Sequence, residues 1–268
     1  MGLFIRRARW MAILAICLGL TGCRSPVDMP PKDIVTRSID GLSGEDHFAF
    51  KGMTEIRTGE REVLTKKLRF EGQVQHHEGL HMRLVSHPEK ENTTTTRWNP
   101  IRLLEQLGEA KTTVERVESN KSLYTLNAGE GMAPKERGVT EPTFPLDEAL
   151  AFRIHVDPTD AKKMFEERLW QDYELVVIPR KKVLEVQNKL SKADAAQLEM
   201  QLNQAASSHR SNLKSLLRSC KVDAQYLLWV DRKSQLPLRL DGKMKVYYNG
   251  KKSVSETIRT VSEFTRTR

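Results

Sequence analysis

Apolar side chains recur at every second position through much of this chain, a spacing that only an extended strand places on one face. Phe48, Phe50 and Ile56 share such a face with Gly52 inside the run; Leu68, Phe70 and Val74 make a second strand, and Leu80, Met82 and Leu84 a third. The β-branched stretch Thr93 to Trp98 predicts a fourth, and Val114 to Val117, Ser122 to Leu126, Ile154 to Val156 and Tyr173 to Ile178 continue the pattern. Ala224 to Phe264 reads as strand and turn throughout. Its Asn249-Gly250 pair predicts a two-residue hairpin connection with positive φ at both residues.

Helical spacing breaks in at four places. Ile34, Val35, Ile39 and Leu42 follow Pro31 and predict a short opening helix ended by Gly41 or Gly44. Asn99-Pro100 is a helix start, with Ile101, Leu103, Leu104 and Leu107 as its stripe and Gly108 as its stop. Asp157-Pro158-Thr159-Asp160 caps a third helix, whose Ala161, Met164, Phe165, Arg168 and Leu169 share a face. Ser191 opens the longest, with a stripe of Leu198, Leu202, Ala205, Ala206, His209, Leu213, Leu216 and Leu217. Ala128 to Leu146, rich in Gly and Pro, reads as a long loop. Many antiparallel strands with helices at the front and inserted late predict an α+β fold.

The N-terminus has its own grammar. Arg6, Arg7 and Arg9 precede an apolar run from Trp10 to Leu20. At eleven residues the run suits a signal-peptide core and falls short of the ~18 residues a spanning helix needs. Leu20-Thr21-Gly22-Cys23 follows and resembles the lipobox of lipoprotein signal peptidase: small residues at Thr21 and Gly22 let an extended backbone enter the protease, and the Cys23 thiol takes the diacylglycerol. Pro26, Pro30 and Pro31 then punctuate a polar, semi-extended tether. The expected organisation is a signal peptide over 1–22, a lipidated cysteine and tether over 23–32, and one folded domain over 33–268. Export to the outer face of a membrane, with attachment through palmitate-like acyl chains, follows from this reading.

From Cys23 on, 41 basic side chains stand against 35 acidic ones, a net charge of +6. The excess is scattered, as in Lys66-Lys67, Arg180-Lys181-Lys182 and Lys251-Lys252, with no aromatic interleaving of the kind that stacks on bases. Nucleic acid is therefore not an expected partner. A solvated surface explains the charge, and affinity for anionic lipid headgroups or wall polymers is the functional alternative. With Cys17 in the signal and Cys23 lipidated, Cys220 has no partner for a disulfide within one molecule, so packing must hold the fold.

One longer resemblance combines these parts. Lipobox, tether and opening helix lead into Phe48-Ala49-Phe50-Lys51-Gly52; Asp157-Pro158 opens a helix with Lys162-Lys163-Met164-Phe165; and Tyr226-Leu227-Leu228-Trp229-Val230-Asp231-Arg232-Lys233-Ser234-Gln235-Leu236-Pro237-Leu238 closes the series. The order, over roughly residues 32–265, resembles the LolA/LolB-like superfamily of envelope lipoprotein carriers, more closely its lipoprotein members in Gram-positive bacteria. The resemblance implies an unclosed antiparallel β half-barrel with helices packed on its concave face, and a hollow that takes acyl chains or lipidated cargo. The long charged stretch Arg180 to Cys220 departs from the family pattern.

No catalytic residue emerges. His77-Glu78-Gly79-Leu80-His81 matches the H-E-x-x-H pattern of zinc proteases, but that chemistry needs a helix to bring both imidazoles to one metal. On strands the two would lie roughly 13 Å apart. An adventitious metal site on His76, His77, His81 and His87 is a weaker alternative, and a wet hairpin is the simplest reading. Cys220 reads as a small buried hydrophobe, since His209 lies eleven residues upstream and no base is local. Asn92-Thr93-Thr94 fits an N-glycosylation pattern without further support. The function that the resemblance implies is a non-enzymatic, membrane-anchored binder or carrier of a hydrophobic ligand, with no cofactor and no metal expected. The alternative is a scaffold or regulatory partner of a cell-envelope or spore-germination enzyme.

Overall fold

The computed structural model describes residues 29–45, 47–75, 79–85, 99–117, 143–177, 191–250 and 254–267. They form an α+β fold of one antiparallel sheet and four helices. The strands are β1 (Phe48–Thr58), β2 (Val63–Gln75), β3 (Gly79–Leu84), β4 (Thr112–Val117), β5 (Ala149–Val156), β6 (Lys221–Asp231), β7 (Pro237–Tyr247) and β8 (Ser255–Arg266). Their spatial order is β3-β2-β1-β8-β7-β6-β5-β4. Two neighbour-to-neighbour meanders therefore meet where β8 pairs with β1, from Phe48 opposite Arg266 to Thr58 opposite Glu256. β3 and β4 form opposite edges, so the sheet is unclosed.

The alternation read from the sequence sets the faces. Phe48, Phe50, Leu68, Phe70, Phe152, Ile154, Val222, Leu228, Leu240 and Val246 all enter one buried core. Helices cover this inner face: α1 (Pro31–Ser43) with Ile34, Val35, Ile39 and Leu42, α2 (Pro100–Glu109) with Leu103, Leu104 and Leu107, and α3 (Pro158–Val177) with Ala161, Met164 and Phe165. The caps form where expected. The Asn99 side chain accepts the Ile101 N–H at 2.9 Å, and Asp157 Oδ1 accepts that of Thr159 at 2.9 Å. The longest helix, α4 (Lys192–Ser219), is capped by Ser191, whose Oγ accepts from the Asp194 N–H.

Several expectations need correction. Pro31 and Lys32, read as tether, already belong to the first turn of α1. Gly108 does not stop α2, which runs on to Glu109; a Cβ on Gly108 would meet Ile39 of α1, so the residue serves close helix approach. The short strand at Ile154 begins at Ala149. Tyr173, expected in a strand, is helical because α3 continues to Val177. There Trp170 stacks edge-on with Tyr173 at 5.7 Å, and the Tyr173 hydroxyl donates to the Ala206 carbonyl of α4 at 2.5 Å. Packing against α4 overrides the strand-like local composition.

The Asn249-Gly250 connection is not a two-residue hairpin either. A 3-10 turn, Tyr248–Gly250, begins a wider connection to Ser255, closed by the Tyr248 N–H on the Val254 carbonyl at 3.0 Å. Asn249 does adopt positive φ, at 53°. On α4 the expected stripe holds only in part: Leu217 is buried and Leu213 packs on the core, whereas Leu202, Ala205, His209 and Leu216 are exposed. The predicted strands at 93–98 and 122–126 lie outside the described residues. Among those described, no helix is long and apolar enough to cross a membrane.

Candidate functional site

The lipobox residues Leu20, Thr21, Gly22 and Cys23 lie outside the described residues, as do His76, His77 and His87. His81 falls in β3, paired with Gln73 of β2, in keeping with the strand context argued against a helical zinc motif. Among the described residues, no group of three or more His, Cys, Asp or Glu could hold one metal ion. Cys220 is buried where α4 ends, its thiol donating to the Leu217 carbonyl at 3.2 Å. Burial pushes that thiol up, and nearby Lys162 offsets only part of the rise.

The inner face of the sheet is the larger feature. Its floor is aromatic and aliphatic, with Phe50 and Phe70 rings 6.4 Å apart and Tyr226 laid against Gly242, where a Cβ would sit 2.6 Å from the ring. Burial drives the Tyr226 hydroxyl up to about 12. A polar strip interrupts the apolar floor, where Thr54 and Thr260 share a hydrogen bond at 3.2 Å. Ser262 on β8 and Ser38 on α1 are both fully buried, and their hydroxyls find no partner among the described residues. Two unsatisfied hydroxyls on an apolar interface each cost about 1–3 kcal/mol. One lies on α1 and the other on the inner face of β8. Between α2 and α3 there is also a shallow depression of about 50 Å³, rimmed by Gln106, Asp160, Lys163 and Glu167.

The outer face carries charge in rows. Arg239 of β7 lies opposite Glu263 of β8, which lies opposite Lys51 of β1 and so Glu71 of β2. Arg239 is 0% exposed. Its guanidinium grips Asp241 at 2.7 and 3.1 Å, reaches Glu263 at 3.3 Å and rests 5.5 Å above the Trp229 ring. Burial pushes the Asp241 carboxyl up; Arg239 pulls it back and Glu263 adds to the rise. A second row runs Lys243, Arg259, Glu55, Lys67. For Glu55, burial alone would raise the carboxyl, but bonds from Arg57 at 2.8 Å and Lys67 at 3.1 Å hold it below its usual value.

Sequence reasoning did not find these rows. The signal was present, since Arg239, Asp241, Lys243 and Lys245 alternate with Leu240, Gly242, Met244 and Val246. Such alternation on a strand's second face does not by itself separate a solvated row from an enclosed one; here Phe144, Val117 and Leu238 pack around Trp229 and help enclose that region.

Fold and geometry together define a class: an α+β protein built on one unclosed antiparallel sheet, with helices over one face and ion-pair rows on the other. In comparisons with known proteins, the chain matches no family model and no curated protein.

Proposed function

We propose that this chain is a non-enzymatic, lipid-anchored envelope lipoprotein that binds or carries a lipid or lipidated ligand on the inner face of its sheet, as the LolA/LolB-like resemblance implies. The observation that carries the reading is the cover on that face. α1 is a separate helix held on an apolar floor by Ile34, Val35, Ile39 and Leu42, and its buried Ser38 hydroxyl has no partner among the described residues. A helix held by side-chain burial can leave without breaking a strand ladder, and a ligand of matching apolar area replaces what it buried. The half-barrel curvature and the Cys23 anchor belong to the same proposal.

Native mass spectrometry of the chain from Ser25 onward tests it. A lipid-mass adduct that disappears on delipidation and returns on incubation with phospholipid is the expected result. A chain that carries no adduct and takes up no phospholipid overturns it.

A second reading rests on α4. Its 28 residues extend about 42 Å and leave Met200, Leu202 and Leu216 exposed. A scaffold that docks an envelope enzyme along α4 fits that exposure. Stable association with such an enzyme by a lipid-free chain favours this second reading.

A further inference from the structure

Two connections at one end of the sheet are clamped side by side. The Gly59 N–H, in the β1–β2 turn, donates to the Ser255 carbonyl at the start of β8 at 2.8 Å. Thr58 lies opposite both Val63 of β2 and Glu256 of β8, so the start of β2 and the residue preceding β8 share one rim. On that rim Val63 is 59% exposed, Leu64 45% and Val254 51%. Single exposed apolar residues are ordinary, but here three lie at the same end of the sheet, two opening β2 and one just before β8.

The surroundings of these residues are cationic. Glu62, which closes the β1–β2 turn with φ of 47°, is held by Arg259 at 2.6 Å, Lys245 at 3.3 Å and Lys243 at 3.7 Å, three cations on one carboxylate. Burial would raise the Glu62 carboxyl, yet these cations keep it below its usual value. Glu55 is likewise outnumbered by Arg57 and Lys67. Exposed Lys66 adds another positive charge beside Leu64, while Arg61 and Glu60 cancel.

We propose that this rim is a second membrane contact, in which Val63, Leu64 and Val254 enter the interfacial region of a bilayer while the accessible lysines Lys66, Lys67 and Lys245 meet anionic headgroups. Exposed apolar residues flanked by positive charge suit that surface, where burial and headgroup attraction add. The proposal rests on the anchored reading only for its setting. From Cys23 to Pro31 the tether reaches at most roughly 29 Å, which holds the domain near the bilayer, so that even a weak contact is populated.

The test omits the anchor and leaves the lipobox reading untouched. The chain from Ser25 onward retains the entire core, which lies between Ile34 and Phe264. It is sedimented with vesicles of phosphatidylcholine alone or with 30% phosphatidylglycerol, at low and high salt. The expected result is binding to the anionic vesicles, a fall of about tenfold in the double variant Val63→Ser with Leu64→Ser, and a fall of about threefold in Lys66→Gln. Both variants should melt as the unsubstituted chain does, since the side chains are exposed. Equal binding to both vesicle types overturns the proposal. So does a double variant that binds as well as the parent, which would reduce the contact to diffuse charge.

Discussion

Arg239 and Asp241 sit two residues apart on β7 and face each other through two hydrogen bonds, at 2.7 and 3.1 Å, in a place that water does not reach. The pair is completed by Glu263 at 3.3 Å. Removing the cation leaves two carboxylates buried against each other. Arg239→Met should therefore destabilise the fold by about 3–5 kcal/mol, read from urea unfolding. Adding Asp241→Asn and Glu263→Gln should restore much of the loss; a single variant as stable as the parent contradicts this account.

Two glycines should behave differently for a reason visible in their surroundings. A Cβ on Gly52 would lie 2.5 Å from both the Phe70 ring and the Val261 carbonyl oxygen, and a backbone oxygen in a ladder cannot retreat. Gly52→Ala should lower stability by about 2–3 kcal/mol. Gly59 has φ of 74° but open space around it, so Gly59→Ala should carry backbone strain alone, about 1 kcal/mol. Thermal melts of the two variants give the order, and a reversal would contradict the packing of β1 against β2 and β8.

Glu55 and Glu62 both have carboxyls held below the usual value of 4.5. A lowered folded value means that ionisation favours the folded state. That contribution is fully present above pH 4.5, shrinks as the pH falls through and below it, and is lost once the folded carboxyls protonate. Stability should accordingly decline below about pH 4.5, and Glu62→Gln should flatten part of that decline while lowering stability at pH 7. Chemical denaturation at pH 3, 5 and 7 checks it; an unchanged slope in the variant would remove Glu62 from the account.

Asn249 occupies the left-handed region, at φ 53°, and its side chain accepts the Ser219 hydroxyl at 2.7 Å, tying the β7–β8 connection to the end of α4. Asn249→Val loses the bond and forces a β-branched residue into that conformation. A loss of about 2 kcal/mol is expected, and Asn249→Gly should recover most of the backbone part. Equal melting of the Val and Gly variants would exclude backbone strain as the cause.

The anchor can be tested apart from the domain. Cys23→Ala should abolish incorporation of labelled palmitate and leave a larger precursor, because the lipobox Leu20-Thr21-Gly22-Cys23 then lacks its nucleophilic thiol. Equal labelling of wild type and variant would end the lipoprotein reading.

Much of the fold was legible because burial on one face leaves a period. Phe48, Phe50, Leu68 and Phe70 were assigned to one side of two strands from spacing alone, and Asn99, Asp157 and Ser191 to caps from their chemistry. What escaped depended on partners distant in sequence. Tyr173 is helical because α4 offers Ala206 and Arg210 to the end of α3, and nothing near Tyr173 records that. Gly108 reads as a stop, yet Ile39, sixty-nine residues earlier, decides its role. Of the candidate site, the apolar inner face was readable, whereas the rim of Val63 and Val254 requires knowing that β1 lies between β2 and β8.

The pairing of β1 with β8 also orders events in time. A chain delivered from its N-terminus emits β1 to β3 first and, of the described strands, Ser255–Arg266 last. Those last twelve residues occupy the middle of the sheet, joining its two halves. Until they arrive, neither half has its central neighbour, and the long loop between them must still close. The architecture thus delays completion of the sheet until β8 is available. It also makes β8 the most consequential strand to remove: its loss would leave two separate sheets with new raw edges, prone to pairing with other copies.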